Sequence, residues 1–205
     1  MRIETVRKMT IYAVPAMLVL QVLLFLVSWI ISAASPEPVV RSLLSNEGIR
    51  WFFASFIDNV ATPPLVWLLV LSMAYGAVVN SQILTALRRS GRQRTYRQTF
   101  ALRIVLVEWI LFAVVVIALS FVPHAALLSV TGRLFPSSFS HSLIPTLAFC
   151  IIVTAVTYGV LTGVMRSLED MFSSLCKGIA SAAPLLVFYV VAAELFFTTA
   201  YVFRF

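Results

Sequence analysis

Apolar residues occur in five long stretches separated by short polar segments, and they do not alternate as in a β-strand. About 20 apolar residues suffice for a helix to cross the hydrocarbon core of a bilayer. Lipid offers no partner to the backbone groups of an open strand, so each stretch predicts a transmembrane α-helix. We place the spans of one membrane domain, residues 1–205, at about 10–34, 61–80, 104–122, 143–165 and 182–203.

The segment before the second span is apolar but is interrupted by Glu47, Arg50 and Asp58. This pattern predicts an interfacial helix on the outer leaflet within residues 39–60, with Trp51 at headgroup depth. Asp58 and Asn59 stand just before two prolines, where we expect them to cap the second span.

A second amphipathic segment precedes the fifth span. Ser167 and Asp170 form a helix start, and five apolar residues then follow on one helical face: Leu168, Met171, Phe172, Leu175 and Ile179. We expect a short surface helix on the inner side, bent at Gly178 or Pro184 into the fifth span.

Composition supports the membrane assignment. Hydrophobic residues make up 61% of the chain and charged residues 11%, with a mean hydropathy of +1.00. Soluble domains have about 45–50% apolar and about 25% charged residues, whereas disordered chains combine low hydrophobicity with high charge. Both classes are therefore excluded, and an all-α polytopic membrane protein is predicted.

The chain has a net charge of +7, and the distribution of its Lys and Arg residues indicates orientation. Eleven Lys and Arg residues fall on one side of the five spans and four on the other. Cytoplasmic loops collect Lys and Arg, so the N-terminus is predicted inside and the C-terminus outside. The segment after the second span carries most of the excess, and we expect it to anchor topology and touch lipid headgroups: Arg88, Arg89, Arg92, Arg94 and Arg97.

The basic segments allow two other interpretations. The arginine cluster is short, lies between spans and includes a single aromatic residue, Tyr96, so nucleic-acid binding is not expected. The sequence Ser32-Ala33-Ala34 resembles a signal-peptidase site. However, the uncharged run from Ile11 to Ala34 is 24 residues long, which favours a retained helix over a cleaved signal.

Candidate chemistry is confined to two carboxylates within the spans, Glu108 and Glu194. Intramembrane ionisable residues are costly unless paired or hydrated, so both are candidates for substrate or ion coupling. The alternatives are an ion pair between Glu108 and Arg103 and an interhelix hydrogen bond at Glu194. The sequence contains no metal-binding or nucleotide-binding motif and no nucleophile with a base. An enzyme, a metal and a cofactor are therefore not expected.

Small residues four apart let two helix backbones approach closely. Gly159 and Gly163 have this spacing in the fourth span, and Gly178 and Ala182 have it near the fifth. We expect both pairs to serve helix packing, within the bundle or between two copies of the chain.

An ordered series of short motifs resembles the p-aminobenzoyl-glutamate transporter (AbgT) family. The series covers roughly residues 35–87 and 135–200, and its members are 42–49 (SLLSNEGI), 58–59 (DN), 64–65 (PL), 83–87 (ILTAL), 137–145 (SSFSHSLIP), 158–159 (YG), 162–163 (TG), Ser167 with Asp170, 184–187 (PLLV) and 192–196 (AAELF).

The resemblance implies a dimeric secondary transporter of the bacterial inner membrane. It implies an organic anion such as p-aminobenzoyl-glutamate as substrate, with Na⁺ or H⁺ as the coupling ion. The family has an inner helical frame and an outer set of helices with two re-entrant hairpins that bind substrate. This chain resembles the frame alone, so a partner chain could supply the hairpins. Where the family usually has glutamine, position 194 is glutamate.

We predict that tags on the two termini are accessible from opposite faces of the membrane. Five spans and the asymmetric distribution of Lys and Arg require this arrangement. Protease protection of tagged chain in inside-out and right-side-out vesicles measures it. Tags that become accessible on the same face would contradict the five-span topology.

Overall fold

The computed structural model describes residues 2–34, 40–88, 94–121 and 138–203, with side chains over 7–34, 40–88, 94–118 and 143–203. These residues form helices and connecting turns, without a strand. The helices are α1 (Arg2–Ala34), α2 (Asn46–Val60), α3 (Pro63–Ser81), α4 (Ile83–Arg88), α5 (Tyr96–Phe121), α6 (Ser138–Thr162) and α7 (Leu168–Phe203).

The predicted helical membrane fold is confirmed. Five candidate spans are long and apolar enough to cross a bilayer: Arg7–Ala34, Asn46–Ser81, Tyr96–Ala118, Leu143–Thr162 and Leu168–Phe203. The second combines α2 and α3, which are separated only by Ala61 and Thr62. An interfacial position for α2 and the inside–outside orientation stay predictions.

The predicted inner surface helix is the first part of α7 and not a separate element. α7 runs for 36 residues without interruption through Gly178 and Pro184, about 54 Å at 1.5 Å per residue. Its start follows the sequence pattern: Ser167 Oγ accepts a hydrogen bond from Asp170 N (3.1 Å), and Asp170 Oδ2 accepts from Arg166 N and Ser167 N (2.9 and 3.1 Å). This reciprocal cap begins the helix. Gly178 lies within this helix, and the backbone of α3 packs against it, as described below.

The chain forms two compact units. The first combines residues 1–66 with 182–205, and the second is residues 67–181. α3 and α7 each contribute residues to both units.

In the first unit, the turn before α2 packs against α1 and the end of α7. Val40, Leu43 and Val202 form a buried apolar cluster. Ser28 Oγ accepts a hydrogen bond from Leu43 N (3.2 Å), and Arg41 N donates to Val202 O (3.1 Å). These bonds satisfy backbone groups that lipid could not.

In the second unit, the core lies between α4, α5 and α6. Its buried members are Ile83, Ala86, Ala101, Val105 and Tyr158. The edge-to-face pair Phe112–Phe149, with ring centroids 6.5 Å apart, adds a further contact between α5 and α6.

A close helix crossing joins α3 and α7 in the second unit. A Cβ added at Gly76 would lie 2.3 Å from Ser174 O and 2.6 Å from the Gly178 Cα, and a Cβ added at Gly178 would lie 2.2 Å from Ser72 O. Only glycine at both positions lets the two backbones come this close.

We predict that Gly76→Ala lowers the stability of the protein by about 2 kcal/mol or more, because the methyl group meets backbone that cannot rotate away. Thermal unfolding in detergent, followed by tryptophan fluorescence, measures this. Gly159→Ala is the matched control, since its Cβ would meet the flexible Met165 side chain (Sδ at 2.8 Å). Equal losses in the two variants would contradict a tight backbone crossing at Gly76.

Candidate functional site

A buried polar cluster lies in the first unit, among helices that are otherwise apolar. We define the Glu194 cluster as Gln21 of α1, Asn59 of α2, and Glu194 and Thr198 of α7. Asn59, Glu194 and Thr198 are 6%, 7% and 0% exposed. Polar groups buried to this degree cost free energy unless they find partners, so they draw the three helices together.

Two hydrogen bonds link the cluster across helices. Asn59 Nδ2 donates to Glu194 Oε2 at 3.4 Å, and Gln21 Nε2 donates to Thr198 Oγ1 at 2.9 Å. Thr198 follows Glu194 by four residues, so both lie on the same face of α7. One face of α7 thereby contacts both α1 and α2 through polar side chains.

Two acceptor oxygens in the cluster are left over. Glu194 Oε1 and Gln21 Oε1 are buried and have no hydrogen-bond partner among the described residues. The partner of Glu194 is a neutral amide and not a cation. The carboxylate oxygen can take a proton, and carboxylate and amide oxygens can both coordinate a small cation such as Na⁺.

A neighbouring polar contact lies between the α2–α3 turn and α7. The hydroxyl groups of Thr62 and Tyr189 are hydrogen-bonded, and Tyr189 Oη also donates to Val60 O at 3.3 Å. This contact satisfies the carbonyl at the end of α2, and it holds the turn against α7 five residues before Glu194.

Comparisons with known proteins agree with this helical architecture. Residues 88–202 match the model of the AbgT transporter family. The chain belongs to the AbgT transporter family. The matched segment includes Glu194 and Thr198, while Gln21 and Asn59 lie before it.

Among solved structures, this AbgT-family chain is similar to the YdaH transporter of Alcanivorax borkumensis. The TM-score is 0.74 at 14% sequence identity, over 92% of this chain and 70% of the YdaH chain. At that identity the likeness is one of fold. No curated protein sequence matches the chain. AbgT proteins are transporters and not enzymes, and the chain is accordingly a multi-pass membrane protein of a transporter family.

The second candidate carboxylate, Glu108, is not part of the Glu194 cluster. Glu108 is on α5 in the second unit, and its Oε2 is buried without a hydrogen-bond partner among the described residues. The expected ion pair with Arg103 is therefore not made through that oxygen. Arg103 is exposed on the same helix.

The predicted small-residue pairs have different surroundings. Gly163 has φ +76° and follows the end of α6, and a Cβ there would meet nothing within 4 Å. Gly159 packs on Met165 of the following turn. Gly178 contacts Gly76, and Ala182 is buried one turn later. Within the described chain, a backbone crossing forms at Gly178, while a contact of Gly159 and Gly163 with another chain stays a prediction.

The arginine cluster is partly described. Arg94 Nε and Nη2 donate to the carbonyl oxygens of Ala86 and Leu87 (3.0 and 3.2 Å), which caps α4. Arg88 and Arg97 are exposed. Arg89 and Arg92 lie outside the described residues, so their contact with lipid headgroups stays a prediction.

The sequence pattern does not predict the contacts of two members of the Glu194 cluster, Gln21 and Asn59. Asn59 was expected to cap the second span, but this is wrong: it lies within α2, and its side chain bonds Glu194. Asn59 is buried, and its amide reaches across to α7 and not to the start of α3. Gln21 carried a usable signal, since it is a polar residue in an uncharged run of 24 residues.

We predict that Asn59→Leu destabilises the protein by about 1–3 kcal/mol, because it removes the amide that donates to the buried Glu194 carboxylate from α2. Unfolding in detergent, followed by tryptophan fluorescence, measures the loss. Asn46→Leu, an exposed position in the same helix, is the matched control. The double variant Asn59→Leu/Glu194→Leu should recover part of the loss, because no polar group is then stranded. Equal stability of Asn59→Leu and Asn46→Leu would refute the bond.

Proposed function

We propose that this chain is the frame of an AbgT-type transport system. By frame we mean the inner helices that anchor the assembly and join two copies as a homodimer. The proposed cargo is an aromatic organic anion such as p-aminobenzoyl-glutamate, and the proposed site of action is the bacterial inner membrane. The system works as an oligomer or with a partner chain that supplies substrate-gripping elements.

The observation that carries the proposal is the continuity of four of the five candidate spans, the second being interrupted at Ala61 and Thr62. Secondary transporters bind substrate near the midplane of the membrane, between helices that are broken there. Among the described residues, α1, α5, α6 and α7 run without a break, even where Pro15, Pro145 and Pro184 lie inside them. Unbroken helices suit an anchoring platform better than a substrate-gripping element.

Exposed apolar surface supports the same role. α1 presents many large side chains outward along its length, such as Leu20, Leu23, Trp29 and Ile30. A surface of this kind faces lipid or a second copy of the chain.

We assign ion coupling to the Glu194 cluster. Its carboxylate has one oxygen without a partner among the described residues, and it lies within the last candidate span. A proton or Na⁺ bound there would change the charge between α2 and α7, and so the contact of these helices. Glu108 is the second candidate, through its own unpaired oxygen.

A non-transporting scaffold is the alternative function. The same unbroken helices favour it, because a dimer module that has lost its substrate-binding hairpins would keep the frame. In that case Glu194 serves as an interhelix hydrogen-bond acceptor for Asn59 alone.

We predict that vesicles reconstituted with the chain take up or release p-aminobenzoyl-glutamate in a manner that depends on pH, and that Glu194→Gln abolishes this dependence. The amide keeps an acceptor for Asn59 but cannot gain or lose a proton. Radiolabelled flux between about pH 5.5 and pH 8, within the range where perturbed carboxylates titrate, measures it.

Glu169→Gln is the matched control, as it makes the same change at an exposed position of the same helix, α7. Flux of wild type and Glu194→Gln that varies equally with pH would remove Glu194 from coupling. Absence of flux from a dimeric, folded chain would favour the scaffold or a system in which a partner chain supplies the substrate-gripping elements. A monomeric chain would contradict the frame role in both forms.

A further inference from the structure

A small polar cavity lies in the second unit, where α3 passes into α4 and where α5 begins. It has a volume of about 130 Å³, well above the about 15 Å³ that admits one water molecule. Its lining includes Gln82, Thr85, Arg97, Gln98, Tyr158 and Thr162. The lining contains a guanidinium group and no carboxylate.

Three of the lining side chains, Gln82, Thr85 and Gln98, have donors without an acceptor among the described residues. Gln98 Oε1 accepts a hydrogen bond from Thr95 N at 3.1 Å, which leaves the two hydrogens of the Gln98 amide nitrogen for another group. The described residues provide no hydrogen-bond partner for the hydroxyl of Thr85 or the side-chain amide of Gln82. A ligand that accepts several hydrogen bonds would satisfy these donors together.

The chain segment that includes most of the lining residues carries charges of one sign. No Asp or Glu occurs between Asp58 and Glu108, while six arginines do. Arg94 caps α4 and so holds the wall of the cavity. Arg97 makes no such hydrogen bond among the described residues. The cavity also lies at the N-terminus of α5, a helix of 26 residues, whose first-turn N–H groups favour an anion.

The backbone at the cavity is strained. Gln82 has φ +59°, a left-handed conformation that costs about 1 kcal/mol or more in a residue with a Cβ. Its carbonyl oxygen accepts hydrogen bonds from Thr85 N and Ala86 N (3.1 and 3.2 Å), which starts α4. The short helix α4, with Thr85 on it, is thereby positioned at the cavity.

We propose that this cavity binds a carboxylate or phosphate group, held by Arg97 with Thr85 and Gln98. The group comes from a free organic or inorganic anion or from an anionic lipid headgroup. The site is independent of the proposed transport role, since it lies in the other unit from the Glu194 cluster and needs no flux to be observed.

Binding is tested on the full chain in phosphate-free detergent. Inorganic phosphate is titrated against chloride at equal ionic strength, and the rise in thermal midpoint gives an apparent dissociation constant. We expect Arg97→Gln to weaken phosphate binding about tenfold, the size of a lost charge-assisted hydrogen bond. Arg103→Gln, which removes the same charge from an exposed position outside the cavity, should bind phosphate as wild type does.

A second arm distinguishes the lipid source. The chain is placed in nanodiscs of phosphatidylglycerol and phosphatidylcholine, and retained lipid is counted by native mass spectrometry. Fewer retained phosphatidylglycerol molecules in Arg97→Gln than in Arg103→Gln would assign the cavity to a headgroup. A phosphate response without such retention would assign it to a free anion.

Gln98→Glu keeps the test decisive if Arg97→Gln fails to fold. Glutamate can still accept the hydrogen bond of Thr95 N and suits the first turn of α5, so the variant should fold. Its negative charge in the cavity should abolish phosphate binding and phosphatidylglycerol retention. If both Arg97→Gln and Gln98→Glu behave as Arg103→Gln does in both arms, the proposal is overturned.

Discussion

A polar side chain inside an apolar helical unit has no water to bond, and this constraint organises the first unit. Glu194 lies within the last candidate span, where its carboxyl group meets the amide of Asn59 from α2. One turn later, Thr198 meets Gln21 of α1. Three helices are therefore aligned by two hydrogen bonds, and the apolar contacts around Leu43 and Val202 pack beside them.

The second unit is held together by a different device. Glycines at 76 and 178 let two helix backbones approach until an added Cβ would overlap the opposite chain. Packing of this kind does not depend on water being expelled, so it works in lipid, where association relies on close van der Waals contact. Polar side chains at the helix ends of this unit include Arg94, Arg97 and Gln98.

The two units suggest a division of roles in an AbgT-family chain. The first carries an unpaired carboxylate oxygen inside apolar surroundings, which suits a proton or a small cation. The second carries a donor-rich cavity without a carboxylate, which suits an anion. Both features occur in a chain of a transporter family. The proposed anchoring role rests on the continuous helices, because transporters usually bind substrate at broken helices.

The sequence by itself determined the class of protein and its helices. Long apolar runs dictate transmembrane helices because lipid cannot bond the backbone, and the described residues of these runs are helical. The Ser167–Asp170 cap was also readable, because its partners are local in the chain.

Only the tertiary structure decided which distant residues meet. Asn59 and Glu194 are separated by 135 residues and Gln21 and Thr198 by 177, so no local pattern pairs them. The same holds for the two glycines that touch: a spacing of four within one helix identified Gly178, but its partner on α3 depends on how the helices pack. The spacing of residues in the sequence predicts which of them share one face of a helix, whereas the tertiary structure determines what that face contacts.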